Sequence, residues 1–132
     1  MSVMDKNHSR LVQAWKSYTE ATVKYGVGSP EAKSLFWAFD EMVDLVRDKP
    51  FDAFEVILEI LRITDEERIL ANLAAGPLEE LLVEHGPEMI ERILALAKSD
   101  SDPKFRDLLQ GVWGNSIEKV VWKQIERLYE SI

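Results

Sequence analysis

Apolar residues three and four positions apart run along this chain from Leu11 to Ile132, and proline or glycine interrupts the pattern at intervals. That spacing is the strongest constraint on the fold. Residues at i, i+3 and i+4 share one face of a 3.6-residue turn, whereas a half-buried strand needs strict alternation. No stretch alternates for the length of a strand, and no Asn-Gly or Asp-Gly pair is present to turn a hairpin. The chain therefore reads as all-α.

Leu11, Trp15, Tyr18, Thr22 and Tyr25 form one stripe of a helix from about Ser9 to Tyr25. Gly26-Val27-Gly28 ends it. Ser29 caps a second helix with Pro30 in its first turn, and its inward stripe is Ala32, Leu35, Phe36, Phe39, Met42, Val43 and Val46. Two long helices joined by a short glycine-containing loop pack as an antiparallel hairpin.

Shorter segments follow. Pro50 to about Arg62 buries Phe54, Ile57, Leu58 and Leu61. Thr64 to Glu67 reads as a capping box, Thr64 accepting from the Glu67 N–H and Glu67 reaching back. It opens a helix with Ile69, Leu70, Leu73 and Ala74 inward. At Gly76-Pro77 the helix is expected to kink or stop, since proline lacks the N–H and clashes with the preceding turn. Asn72 is placed to bond a carbonyl that Pro77 frees, and small Ala74, Ala75 and Gly76 let another helix come close. Pro77 to about Glu84 carries Leu78, Leu81 and Leu82. Gly86-Pro87 starts a segment with Ile90, Ile93, Leu94 and Ala97 inward. Ser99 to Asp102 is a loop, Pro103 starts a helix with Phe105, Leu108, Leu109 and Val112, and Gly114-Asn115-Ser116 is the last break. The final stripe is Ile117, Val120, Val121, Gln124, Ile125, Leu128 and Ile132. The expected architecture is a single domain over 1–132, with six to eight helices. A helical hairpin occupies 1–49, and short stacked helices over 50–132 form an α-solenoid-like or irregular bundle.

Apolar residues at 46% and charged residues at 30% fit a globular chain and argue against disorder. No apolar run approaches the roughly 20 residues that span a bilayer, and Met1 to Arg10 is polar, unlike a signal peptide. Without cysteine there is no disulfide, thiolate metal site or thiol nucleophile. The expected compartment is the cytoplasm.

The net charge of −8 is unevenly spread. Residues 50–102 carry thirteen acids against four bases, while the segments on either side nearly balance. Such a surface repels nucleic-acid phosphates and anionic lipid and steers a basic partner. A solubilising face accounts for the same imbalance.

Leu70-Ala71-Asn72-Leu73-Ala74-Ala75-Gly76-Pro77-Leu78-Glu79-Glu80-Leu81-Leu82, then His85-Gly86, resembles the core of a family of small bacterial helical domains of unknown function. Asp102 to Arg106, with Leu109 and Val112-Trp113, resembles the second half of that pattern. The resemblance covers roughly 50–125 and leaves the leading hairpin mostly outside. It implies a helical architecture in a bacterial setting, and no activity, cofactor or catalytic residue.

His85, at a helix end before Gly86, reads as a cation beside the negative end of its own helix. There is no Glu-x-x-His pair, His-Glu-x-x-His helix or phosphate-binding glycine loop, so neither a metal nor a cofactor is expected. Asp52, Glu55 and Glu59 fall on one helix face opposite Phe54, Leu58 and Leu61, and Glu88 and Glu91 take the outward position on a later helix. If those helices share a layer, the five acids form an exposed strip suited to a basic protein. Trp15 reads as core, Trp37 as exposed or interfacial, Trp113 as lying at a helix end before Gly114-Asn115, and Trp122 as flanking the buried stripe of the last helix. The expected function is that of a non-enzymatic bacterial interaction protein binding a basic protein partner, such as an immunity-type inhibitor. An acidic DNA-mimic regulator of a phage or defence system is the alternative, and a small enzyme using carboxylates alone is the third reading.

Overall fold

The computed structural model describes residues 6–99 and 103–130. Asp100, Ser101, Asp102 and Ile132, assigned above to a loop and to the last stripe, lie outside them. The described residues form α1 (Lys6–Tyr25), α2 (Pro30–Ser34), α3 (Phe36–Asp48), α4 (Pro50–Ile63), α5 (Glu67–Leu73), a π-helical turn (Ala74–Leu78), α6 (Glu79–Lys98), α7 (Pro103–Leu109) and α8 (Lys119–Glu130). No strand occurs among them.

The architecture is an irregular bundle around α4. Ala53, Phe54, Val56, Ile57, Ile60 and Leu61 of this helix are buried, and it packs against α1, α3, the π turn, α6 and α7. A helix apolar on most of its circumference has to be enclosed. Phe54 meets Phe105 edge-on, with ring centroids 5.7 Å apart. Burying each such ring contributes about 1.5–3 kcal/mol. One continuous core extends from Leu11 to Leu128.

The hairpin forms, since α1 packs on α2 and α3. Its connection depends on Gly26, whose φ of 96° is open to glycine and strained for other residues. Ser29 caps α2, its Oγ accepting from the Ala32 N–H at 3.1 Å. The second arm is nevertheless not one helix. It breaks at Leu35, with φ −109° and ψ 3°, and restarts at Phe36. The break resets the helical phase. Ala38, Met42 and Val46 face the core, while Phe36, Phe39 and Val43, expected inside, are 45%, 42% and 46% exposed.

Other local expectations change for physical reasons. Glu66, not Thr64, caps α5, its carboxylate accepting from the Arg68 N–H at 3.2 Å. Thr64 Oγ1 accepts from the Glu66 N–H instead, a tighter turn than the capping box. Gly76-Pro77 neither stops nor breaks the helix. The chain continues through Pro77 in a π turn, and the Glu79 N–H reaches back five residues to the Ala74 carbonyl. Asn72 donates to the Arg68 carbonyl at 2.9 Å, one turn before the proline, rather than to a carbonyl freed by it. The break expected near Gly86 is a kink at His85 (φ −132°, ψ 24°) within α6. On α8, Val121, Ile125 and Leu128 are buried, but Val120 is 66% exposed.

Three helix C-termini are closed by side chains from distant elements. His85 Nε2 lies 3.1 Å from the Arg47 carbonyl at the end of α3. Lys104 donates to the carbonyls of Leu61 and Thr64, at 2.5 and 2.8 Å, at the end of α4. Arg106 Nε donates to the Ala97 carbonyl at 2.8 Å at the end of α6. The last carbonyls of a helix have no partner within it, so donors carrying positive charge are suited to that place.

Candidate functional site

The reset of α3 leaves its apolar edge facing a groove of about 550 Å³. One wall is α1, through Trp15, Tyr18, Thr19 and Thr22. Facing it on α3 are Phe39, Met42, Val43 and Val46. The floor and far side come from Asn72, the π turn through Ala75, Gly76 and Pro77, and Glu80 and Glu84 of α6. Outside the groove the apolar surface continues as a ridge. Phe36 and Phe39 stack at 5.5 Å, Tyr18 lies 5.9 Å from Phe39, and Phe36 is 6.1 Å from Tyr18. Val27, in the loop before α2, also lines the groove and is 72% exposed.

The small residues of the π turn divide in two. Ala74 is buried, and a Cβ on Gly111 would come within 2.8 Å of Ala74 Cβ, so this pair permits a close internal approach. Ala75 is exposed and Gly76 half-buried, and both face the groove. A Cβ on Gly76 would meet nothing within 4 Å.

Electrostatically the groove is one-sided. Glu80 and Glu84 line it, and among the described residues no Lys, Arg or His does. Asp40 lies beyond the ridge on α3, exposed, while Asp44, one turn on, pairs with Arg47 at 3.0 Å.

The five acids singled out in the sequence are placed differently from one another. Glu88 and Glu91 are exposed, but Asp52, Glu55 and Glu59 are only partly so. Glu55 of α4 pairs with Arg92 of α6 at 2.7 Å, which puts the two helices side by side as the strip requires. The same bridge sets a guanidinium between the acids, and Arg62 pairs with Glu59 at 2.9 Å. Arg92 also lies over the Phe51 and Phe54 rings, at 5.8 and 5.7 Å.

His85 serves α3 rather than its own helix. The Arg47 carbonyl can only accept, so Nε2 is the donor in this contact. Nδ1 faces Glu88 Oε2 at 3.8 Å. No group of three His, Asp or Glu residues that could hold a metal ion occurs among the described residues.

Trp15 is 4% exposed. Trp37 is partly buried with the Arg10 guanidinium 4.8 Å from its ring. Trp113 is 69% exposed, and its N–H donates to Glu79 at 2.9 Å. Trp122 lies against Gly114, where a Cβ would collide with the indole.

Sequence reasoning placed the small-residue string and the carboxylates but missed the groove. Its signal was the aromatic pair Phe36 and Phe39, hidden by treating residues 29–46 as one uninterrupted helix.

The model of a family of unknown function, DUF6869, matches residues 26–131. The match reaches further toward the N-terminus than the resemblance over 50–125 and takes in α2 and α3. No curated protein and no solved structure matches the chain.

Proposed function

Since the chain belongs to this family of unknown function, its role has to be argued from the site. We propose a non-enzymatic interaction protein that anchors a protein partner in the groove between α1, α3 and the π turn. One observation carries this reading. An aromatic and aliphatic ridge, with Phe36, Phe39 and Val43 each more than two-fifths exposed, is continuous with a groove of about 550 Å³. Contiguous apolar surface of this kind, bordered by polar residues, marks interaction sites.

The partner is basic. The net charge of −8 and the strip formed by Asp52, Glu55, Glu59, Glu88 and Glu91 supply long-range attraction, and the groove supplies the anchor. In its most concrete form this is an immunity-type inhibitor in a bacterial cytoplasm. Arg62 and Arg92 within the strip weigh against the alternative, a surface imitating DNA. For the third reading, a carboxylate enzyme, Glu80 and Glu84 in the groove are the starting point, and among the described residues no histidine or lysine lines the groove beside them.

Affinity capture from the native cell extract tests the proposal, comparing wild type with the double variant Phe39→Ala/Val43→Ala and with Val120→Ala on α8. A partner retained by wild type and Val120→Ala but lost by the double variant is the expected result. Equal retention by all three moves the interface elsewhere.

A further inference from the structure

The groove is lined by apolar side chains and two glutamates, with no basic residue among its described neighbours. Among the described residues no ion pair or side-chain hydrogen bond engages Glu80 or Glu84, in contrast to Glu55 and Glu59, which hold arginines. Beyond the ridge, at about 100° per residue, Asp40 falls next to Phe36 and Val43 on the side away from the groove. The apolar surface is thus bordered by carboxylates on both long sides.

Gly76 adds a second consideration. Glycine inside a helix is less favourable than alanine by roughly 0.8–1.0 kcal/mol, and here the fold makes no use of it. Its φ is not positive, and a Cβ would meet open space. With Ala75 beside it, the floor of the groove is bare backbone, the surface another helix needs for close approach.

We infer that the groove takes an amphipathic helix of the partner, with apolar anchors over Ala75 and Gly76 and lysines or arginines facing Glu80, Glu84 and Asp40. This rests on the proposed function and specifies the chemistry of the partner. Residues of α1, α3, the π turn and α6 line the groove, and helix-in-groove recognition reads anchors at i, i+3, i+4 and i+7. A small apolar molecule would fill the groove but leave Phe36, which stands outside it on the ridge, in water. A helix of three or four turns covers the groove and Phe36 together.

The test is selection from a displayed library of randomised helical peptides against the full chain. Binding of the enriched peptides is then measured to wild type, to Gly76→Leu and to Glu80→Lys/Glu84→Lys. Gly76→Leu adds a side chain on the groove floor, at a position where a Cβ meets nothing within 4 Å, and its helicity and Tm should match or exceed those of wild type. Should it fail to fold, Phe39→Asp on the rim blocks the same surface. The expected consensus has apolar residues at helical spacing and at least two Lys or Arg. Its affinity should fall about tenfold or more with Gly76→Leu and with the double reversal, which should favour acidic peptides instead. Groove-dependent peptides with no basic preference, unaffected by the reversal, would overturn this inference and leave the interaction reading standing. Absence of any peptide sensitive to Gly76→Leu or Phe39→Asp would overturn both.

Discussion

Two glycines with opposite surroundings make the residue scale testable. Gly76→Ala should stabilise the protein by about 0.4–1 kcal/mol, since the added methyl restricts the unfolded chain and meets nothing in the folded one. Gly114→Ala should destabilise it by about 1–3 kcal/mol, because the methyl runs into the Trp122 ring. Urea denaturation of both variants checks the signs. Tyr129 sets an alkaline limit. Its hydroxyl donates to the Arg106 carbonyl at 2.6 Å, and burial first, then the Asp107 carboxylate, push its pKa up to about 12. The unfolded phenol titrates near 10, so above that pH the unfolded state loses its proton first. Stability from this group is complete below pH 10 and lost as pH rises toward 12. Following tyrosinate absorbance together with helicity should show Tyr129→Phe less sensitive over that range than wild type. Neither the hydroxyl's partner nor Gly114's neighbour was legible beforehand, because Arg106 lies on another helix and Trp122 meets Gly114 only once the chain has turned into α8.

Among the elements, the extents of α1, α4 and the run from Leu78 to Ala97 were legible from helical spacing over several turns, although on α1 Tyr25 of the expected stripe is 54% exposed and Val12, Ala14 and Ala21 are buried instead. The second arm of the hairpin was not. Leu35 carries no breaker residue, and the spacing from Ala32 to Val46 suits one long helix as well as two. The π turn was half-legible. Pro77 announced a disturbance, but whether a helix stops or widens around a proline depends on the packing of the following helix, here Leu81 and Leu82, both buried. The cross-helix caps were invisible for the same reason as the tyrosine bond. Lys104 is the most complete of them, with Asp65 at 2.9 Å as a third acceptor. Lys104→Met keeps the stem and removes the ammonium. It should lower stability by about 1–3 kcal/mol, with hydrogen exchange rising first at the C-terminal turn of α4. Unchanged exchange there would show that water replaces the cap.

At the scale of the whole molecule, the proposed binding mode separates attraction from grip. On that reading the acidic strip would act at a distance and be screened by salt beyond roughly 10 Å at 0.1 M, while the groove would act on contact. Reversing Asp52, Glu55 and Glu59 to Lys should therefore slow association with a basic groove peptide at low salt, the rates converging with wild type at high salt. Phe39→Ala should instead speed dissociation with little change in association. Stopped-flow traces at two ionic strengths separate these effects, and equal association rates at low salt would reduce the strip to a solubility device. The charge imbalance behind this was plain in the sequence. The groove was not, since it exists only where three helices meet. The π turn also determines which face α6 presents. It holds one residue more than an α turn, and removing that residue, by deleting Gly76 for example, would turn everything after it by about 100° about the helix axis. Leu81 and Leu82 would rotate out of the core, and Glu80 and Glu84 out of the groove. A change of length between Leu73 and Glu79 therefore displaces everything that follows. Here the count of residues, more than their identity, keeps core and groove in phase.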